Sequence, residues 1–337
     1  MVYVGIDLHK KLIALCVVNQ ARQVLLHKKM ACCETETIRE FFQQLGAFTA
    51  VVEATASYEW LWELLEPLAQ RLVLAHPKKL RVIAESTRKS DKIDAKILAE
   101  FLALDMIPQA YRPTPRQRQH RVLVRQRCFI RRGITAVKNK IRRILSDYNA
   151  DRKDLFTAEG QLYLSQVKVS PAARFVLEQL GEQWQQGEQR KREIDQELRR
   201  FASKGPTAEK EARAALASMP QVGATTIDIV ISELGDVGRF SSIKKVVAYA
   251  GLAPVQRESA GKRKELGISK QGSGLLRWAL VEASWRLVRH SRRWGTAFEK
   301  LFKRRGKKKA IVAIARRVLG VMVALMRSGQ KYRLAEP

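Results

Sequence analysis

Four carboxylates stand where acidic side chains are costly unless they bind something. Asp7 ends the apolar run VYVGID, and Glu53 ends a second apolar run, TAVVE. Asp91 and Asp94 lie three residues apart in SDKIDAKILAEF, at the start of a predicted helix, so their side chains share one helix face. A carboxylate on a core strand needs a cation or another polar partner. If the four side chains converge at one sheet edge, divalent metal ions would neutralise them.

Two metal ions can clamp the attacking and leaving oxygens of a phosphodiester, and hard oxygen ligands suit Mg²⁺. We therefore predict that Asp7, Glu53, Asp91 and Asp94 are catalytic and hold one or two Mg²⁺ ions. His9 lies two residues after Asp7 on the same strand face, and we expect it to be only a neighbour.

Each acid also has a simpler explanation when it is taken alone. Asp91 and Asp94 suit the positive end of a helix dipole. Asp7 could be a turn residue at a strand end, and Glu53 could pair with a lysine. The order of strand Asp, strand Glu and helical D-x-x-D is stronger evidence than any single residue.

The elements around these acids predict an α/β domain with a mixed sheet. Three β-rich runs, Val2–Leu8, Leu12–Asn19 and Gln23–Met30, form a meander, and alternating helices and strands follow them. Three prolines in IPQAYRPTPRQ mark a boundary, so the first predicted domain is residues 1–110.

The rest of the chain is predicted to be mostly helical. Residues 111–205 contain a basic helix over Arg116–Leu145 and a second helix over Pro171–Phe201. The second helix keeps an apolar 3–4 spacing that is broken only at Gly187 and Lys191, as in a short coiled-coil arm. Residues 206–330 form the third predicted domain.

Charge points to a polyanionic partner. The 337 residues carry a net charge of +30, of which residues 1–110 hold +1, residues 111–150 hold +11 and residues 151–337 hold +18. A basic excess of this size favours nucleic acid. The expected contacts in the second stretch are Arg131, Arg132, Lys138, Lys140, Arg142 and Arg143. A solvated charged face would give the same pattern.

Several classes of protein are disfavoured. The four cysteines form no C-x-x-C pair and no zinc-ligand spacing with histidine, which fits a reducing cytoplasm. The first residues read directly as a strand, so no signal peptide is expected. The apolar stretch Ile311–Met326 contains Arg316 and Arg317 and is too short to span a bilayer.

A second candidate site surrounds Ser259 in VQRESAGKRKELGISKQGSG. Small neighbours leave its hydroxyl open, and nearby cations could hold a scissile phosphate. These cations are Arg257, Lys262, Arg263, Lys264 and Lys270. A serine in a basic, glycine-containing loop is more often a phosphate contact than a nucleophile, and no histidine lies nearby in sequence to act as its base.

Upstream, MPQVGATTI resembles a helix-hairpin-helix turn, which binds DNA phosphates without reading sequence.

Several motifs, taken together in their order along the chain, resemble those of a known protein family. The first third resembles the ribonuclease H-like fold of RuvC-type junction nucleases, in which Asp7, Glu53, Asp91 and Asp94 match the D-E-D-D carboxylates. The whole chain resembles the D-E-D-D transposases of bacterial insertion sequences, the bridge-RNA-guided serine recombinases. The motifs that carry this resemblance are GIDLHK, VVEATASYEW, DKIDAKILAEF, MPQVGATTI and AGLAPVQRESAGKRKELGISKQGSGLLRWAL.

That resemblance implies a RuvC-like domain, a coiled-coil arm and a C-terminal transposase domain. It implies that Ser259 attacks DNA to give a covalent phosphoserine intermediate. It also implies that the acids of one protomer act beside the serine of another, in homodimers that assemble into a tetramer. A structured non-coding guide RNA would pair with donor and target double-stranded DNA in a bacterial cytoplasm, near the nucleoid. Ala260 stands where a second glycine often occurs in the family, which should be tolerated.

Two other functions remain open at the level of sequence. One is a metal-dependent hydrolytic DNA nuclease or junction resolvase, in which Ser259 only holds phosphate. The other is a nucleic-acid-binding protein without catalysis, which the presence of all four acids and the serine disfavours. Covalent attachment of cleaved DNA to protein separates the recombinase from the hydrolytic nuclease.

Overall fold

The fold is taken from a computed structural model that describes residues 1–55, 57–83, 91–259 and 262–333. For residues 81–83, 92, 257–259 and 262–265 the description covers the backbone alone. The chain divides into two compact units, Met1–Arg112 and one that begins at Pro113. The further division predicted between residues 205 and 206 stays a prediction.

The first unit is built on a five-stranded mixed sheet in the order β3-β2-β1-β4-β5. β1 pairs antiparallel with β2 and parallel with β4, so it lies at the centre of the sheet. The predicted meander and mixed α/β class are confirmed. The elements are β1 (Val2–Leu8), β2 (Leu12–Val18), β3 (Val24–Ala31), α1 (Thr35–Gln44), β4 (Phe48–Glu53), α2 (Glu59–Leu65), β5 (Arg71–Ala75), α3 (Pro77–Ile83) and α4 (Asp91–Ala103).

Helices cover both faces of this sheet. Val4, Ile6 and Leu8 of β1 pack in one cluster with α1 and α2. Because strand side chains alternate between faces, Gly5 and Asp7 point to the opposite face, where α4 lies. Asp7 therefore belongs to the α4 face of the central strand.

The second unit is predominantly helical, as predicted, with one two-stranded sheet among the described residues. Its elements are α5 (Pro115–Ser146), α6 (Ala158–Gln166), α7 (Pro171–Ser203), α8 (Thr207–Ala217), α9 (Ala224–Leu234), α10 (Ile243–Tyr249), β6 (Pro254–Ser259), β7 (Lys262–Ile268), α11 (Gly274–His290) and α12 (Arg292–Ser328).

Two hydrophobic cores hold the second unit. Ile134, Ile141 and Leu145 of α5 pack against Leu177 and Trp184 of α7, so the basic helix and the predicted arm helix lie side by side. The other ends of both helices join a larger core built mainly from α8, α9, α11 and α12. Among the described residues, no helix combines the length and apolarity that a bilayer crossing requires.

One prediction about local structure was wrong. The segment around Ser259 is an antiparallel hairpin of β6 and β7 rather than a loop. The register pairs Ser259 with Lys262 and Arg257 with Lys264. Most residues of the two strands are charged or polar, so the sequence lacks the run of β-branched or aromatic residues that would have indicated them.

Candidate functional site

Asp7 is a buried carboxylate at the end of the central strand. Asp7 is only 9% exposed to solvent. Burial raises the pKa of Asp7, the charges of Asp94 and Asp91 raise it further, and His9 opposes the shift. A carboxyl group in such surroundings accepts its negative charge easily only when a cation is close.

The first turn of α4 brings Asp91 and Asp94 to the same place. α4 crosses β1 so closely that a Cβ at Gly5 would lie 2.1 Å from the carbonyl oxygen of Ala95 and 2.4 Å from the Ala99 nitrogen. Only glycine permits this approach, because any side chain would collide with helix backbone. The glycine of GIDLHK thus determines how near the helical acids come to Asp7.

His9 joins these carboxylates instead of being a mere neighbour. Its Nε2 lies 3.0 Å from Oδ2 of Asp7 and 3.3 Å from Oδ1 of Asp91. Ligand atoms of Asp7, His9 and Asp91 all lie within 4.8 Å of one another, and we call these three residues the carboxylate cluster. The position of His9 two residues after Asp7 was the available signal, and the sequence interpretation underrated it.

Lys29 is a member of the site that sequence reasoning missed. In the sheet register Asp7 is opposite Ala14, and Ala14 is opposite Lys29, so β3 presents Lys29 at the level of the cluster. Its Nζ donates to Oδ2 of Asp91 at 2.9 Å. The Lys29 hydrogen bond and charge hold the pKa of Asp91 below its usual range.

Glu53 and Asp94 lie beside the cluster. Ile6 of β1 is opposite Val52 of β4, so Asp7 and Glu53 end neighbouring parallel strands at the same edge. Glu53 is half-buried there. Asp94 is close enough to raise the pKa of Asp7 through its charge. The ligand roles of Glu53 and Asp94 stay predictions.

The donor set fits a divalent cation. Two carboxylates and an imidazole within 4.8 Å of one another supply oxygen and nitrogen ligands from β1, the residues after it and α4. Hard carboxylate oxygens suit Mg²⁺, and an imidazole nitrogen suits transition metals such as Mn²⁺ as well. Two further acids beside the cluster increase its affinity for positive charge.

The hairpin of the second unit carries Ser259 at the last position of β6. The side chains of Arg257, Ser259, Lys262, Arg263 and Lys264 lie outside the described residues. Lys270 follows β7 and is exposed, with a left-handed φ of 53° and its N–H donating to the carbonyl of Gly251 at 3.0 Å. The roles predicted for these residues stay predictions.

The predicted contacts on α5 separate into two groups. Arg131, Arg132, Lys140 and Arg143 are exposed. The Arg131 guanidinium lies 5.6 Å from the ring centre of Trp278, which is 41% exposed. A cavity of about 450 Å³ opens beside them, and Arg127, Cys128, Arg131, Arg132, Thr135, Ala136, Asn139, Leu275 and Trp278 line it.

Lys138 and Arg142 instead make contacts within the protein. The Lys138 ammonium lies 4.7 Å from the ring of Phe156 and 3.5 Å from Glu188. Arg142 donates to Asp151 at 3.0 Å and to two backbone carbonyls. These contacts link α5 to α7 and to the segment that follows α5, and the predicted contacts of Lys138 and Arg142 with nucleic acid stay predictions.

The proline–glycine turn lies between two helices, as predicted. α8 ends at Ala217, and Gly223 is the N-cap of α9. Gln221 adopts a left-handed φ of 63° within the turn. Phosphate binding by this turn stays a prediction.

Comparisons with known proteins match both units. A family profile described as a transposase, the D-E-D-D domain of the IS110 type, matches residues 4–150. A second, described as the transposase IS116/IS110/IS902 family, matches residues 213–299. The first match contains all four predicted acids, and the second contains Ser259.

Full-length relatives carry related names. The chain is 25% identical to the transposase for insertion sequence element IS1111A of Coxiella burnetii, over 98% of this chain and 90% of the relative. It is 23% identical to a putative transposase of Sinorhizobium fredii, over 100% of this chain and 87% of the relative. It is 24% identical to the pilin gene-inverting protein of Moraxella bovis, over 98% and 97%.

Proposed function

Since the chain belongs to the IS116/IS110/IS902 family of transposases, we propose that it cuts and rejoins the DNA of a mobile element through a covalent intermediate on Ser259. Membership makes the protein a DNA transposase, an enzyme whose substrate is DNA. Its D-E-D-D domain implies dependence on a divalent metal. The observation that carries the proposal is the carboxylate cluster, in which β1 and α4 bring Asp7 and Asp91 together around His9.

The fold of the first unit supports a ribonuclease H-like assignment. A central β1 pairs antiparallel with a meander on one side and parallel with β4 and β5 on the other. Asp7 and Glu53 end adjacent parallel strands of this sheet, and the acids of α4 lie on the same face as Asp7. This is the arrangement that the resemblance to RuvC-type nucleases implies.

His9 and Lys29 orient the carboxylates and favour their charged form, as metal binding requires. Mg²⁺ held by Asp7, Glu53, Asp91 and Asp94 would supply Lewis-acid stabilisation of charge on the phosphate. His9 hydrogen-bonds to two of these acids and fixes their orientation. The hydrogen bond and charge of Lys29 lower the pKa of Asp91 and so favour its ionised form.

In the proposed reaction, Oγ of Ser259 attacks the scissile phosphorus and gives up its proton to a base. The bond between phosphorus and the leaving DNA oxygen breaks, and that oxygen takes up a proton. A hydroxyl of the joining strand then attacks the phosphoserine and releases the serine. The phosphoester count is unchanged, so rejoining requires no ATP. Arg257, Lys262, Arg263 and Lys264 would stabilise the charge that develops on the phosphate.

One relative favours rejoining over simple hydrolysis. The Moraxella bovis protein is named for inverting a pilin gene, and inversion needs cut ends to be joined again. The finer parts of the proposal follow the family resemblance. They are a structured guide RNA that pairs with donor and target DNA, homodimers that assemble into a tetramer, and action in the bacterial cytoplasm at the nucleoid.

A denaturing gel of labelled donor DNA tests this function. Wild type should retain label on the protein after denaturation. Ser259→Ala should lose the labelled band while binding DNA normally, because only the attacking oxygen is removed. Asp91→Asn should lose it with little change in folding. If Ser259→Ala cleaves at the wild-type rate, the serine is a phosphate contact and the protein is a hydrolytic nuclease.

A further inference from the structure

The most densely basic stretch of the chain lies outside every surface considered so far. Residues 286–309 contain 11 Lys and Arg against one Glu, whereas the longer stretch 111–150 contains 12 against one Asp. The second family match ends at residue 299, so the last part of this stretch lies beyond it. Its charge therefore needs an explanation from this chain's own structure.

The stretch includes a break in α12. Gly306 has φ 72° and ψ 166°, which divides the helix into two halves. Lys303, Arg304 and Arg305 precede the break, and Lys307 and Lys308 follow it. All five side chains are exposed, and we call them the kink patch. The second half begins at the positive end of its own helix dipole, so the backbone adds to the same positive potential.

Folding gives these charges little compensation. Within the part of the chain that the structure describes, none of the five kink-patch cations forms an ion pair with a carboxylate. The Lys307 ammonium lies 5.5 Å from the centre of the Trp285 ring. Like charges this close repel, and an anionic partner would relieve that repulsion.

A partly buried guanidinium that interacts with the charge of Arg305 supports the same conclusion. The Nε atom of Arg316 is buried and has no hydrogen-bond partner among the residues that the structure describes. Burial, and then the charge of Arg305, lower the pKa of Arg316. Unpaired buried donors are rare in folded proteins, and this one lies next to an uncompensated cation. Negative charge at the kink would stabilise both residues.

Aromatic rings beside the kink indicate which part of a nucleic acid the patch suits. The rings of Phe298 and Phe302 stack on each other at 5.9 Å, and Trp285 contacts Phe298 at 5.4 Å. Because these rings pack against one another, they are poor platforms for unpaired bases. Flexible lysines around them suit phosphate oxygens, which are the same at every base pair.

We infer that the kink patch binds the phosphate backbone of double-stranded DNA, as a contact additional to those predicted for α5 and for the hairpin of Ser259. The inference rests on the proposed function only in requiring that the substrate is DNA. Such a contact holds the duplex without reading its sequence. It would add several phosphate contacts to whatever the predicted surfaces provide.

The test compares two full-length variants with equal loss of charge. The first carries Lys303→Gln, Arg304→Gln, Lys307→Gln and Lys308→Gln. The matched control carries Arg190→Gln, Arg199→Gln, Lys204→Gln and Lys210→Gln, four exposed cations of α7, α8 and the turn between them. Affinity for a labelled DNA duplex is measured over a salt series, for two unrelated sequences.

Each phosphate contact contributes about 0.9 to the slope of log affinity against log salt, so the loss of four contacts should lower the slope of the kink variant by about 3.6 units. The loss should be equal for both sequences, and the control should lose less than one unit. At low salt and with excess protein, the kink variant should form as much covalent adduct as wild type, because the patch does not touch the reacting phosphate. Absence of adduct in wild type would refute the serine mechanism and leave the slope comparison intact.

Three results would overturn the inference. One is equal loss of slope in the kink variant and the control, which would mean that only bulk charge matters. Another is an unchanged slope in the kink variant. The third is a kink variant that binds the duplex normally but loses binding to a structured RNA hairpin or to anionic lipid vesicles, which would assign the patch to that partner.

Discussion

The two most basic helices of the protein use their cations in opposite ways. On α5, Arg116 pairs with Glu209, Arg127 with Asp195, and Lys138 with Glu188. Arg121, Arg125, Arg142 and Arg143 also have carboxylates within 4.0 Å. The five kink-patch cations of α12 form no such pair within the described residues. Similar composition thus supports packing in one helix and leaves charge available in the other.

The difference follows from where each helix lies. α5 contacts α7 and α9, whose acids face it. The partners of Arg116, Arg121 and Arg127 are 68 or more residues away in sequence. The residues on either side of the kink in α12 are exposed from Phe302 to Lys309. Charge density therefore identifies a binding surface only after paired cations have been set aside.

The largest expected contrast is in stability. Arg116→Ala removes hydrogen bonds to Glu209 and to the Phe201 carbonyl, together with a guanidinium 4.1 Å from the Phe201 ring. Loss of one partner from a largely buried pair should lower the free energy of unfolding by about 3 kcal/mol. Arg304→Ala at the kink should change it by less than about 0.5 kcal/mol. Urea unfolding of both variants measures this, and equal effects would remove the distinction between the helices.

A smaller contrast should occur within α5 itself. Arg131→Gln with Arg132→Gln should reduce the salt slope of DNA binding by about two units and leave stability unchanged. Lys138→Gln with Arg142→Gln should lower stability by about 1–2 kcal/mol, since internal hydrogen bonds and ring contacts are lost. It should hardly change the slope. The reverse pattern would show that the internally paired cations bind the polyanion.

The smallest effect is a pH dependence. Burial alone would raise the pKa of Glu209, but hydrogen bonds and charge from Arg116 and Arg213 outweigh it and hold the pKa below 4.5. Because the folded value lies below the unfolded value, this stability is present above pH 4.5 and is lost as pH falls through the folded pKa. The stability difference between wild type and Glu209→Gln should shrink between pH 5 and about pH 3. A difference that stays constant over this range would mean that the carboxylate charge does not contribute.

Much of the first unit was predictable, because its signals are local. Apolar runs gave the strands, and Asp7 and Asp91 meet as strand-end and helix-start acids should. The bridging position of His9 depends on the distance between β1 and α4, which Gly5 determines through a contact with Ala95 far along the chain. Lys29 gave no signal, since only the register of three strands brings it to Asp91.

The second unit was less predictable for the same physical reason. The bounds of α5 and α7 were predicted well, and both helices begin within one residue of the predicted positions. Composition gives no sign that Lys138 pairs with Glu188 of α7 or that Arg142 pairs with Asp151 in the segment after α5, so these internal contacts were not foreseen. The break at Gly306 was missed because a single glycine within a lysine-rich run does not distinguish a kink from a continuous exposed helix.

Complementation between inactive variants shows whether the carboxylate cluster and Ser259 act in one cleavage reaction. Asp7→Asn and Ser259→Ala proteins, distinguished by size tags, are mixed with labelled donor DNA and run on a denaturing gel. Neither variant alone should form the covalent adduct. In the mixture, label should appear on the Asp7→Asn chain, because its serine is joined by the intact acids of its partner. Adduct formed at the wild-type level by Asp7→Asn alone, or DNA cleaved at the wild-type rate by Ser259→Ala alone, would show that the two sites do not act together.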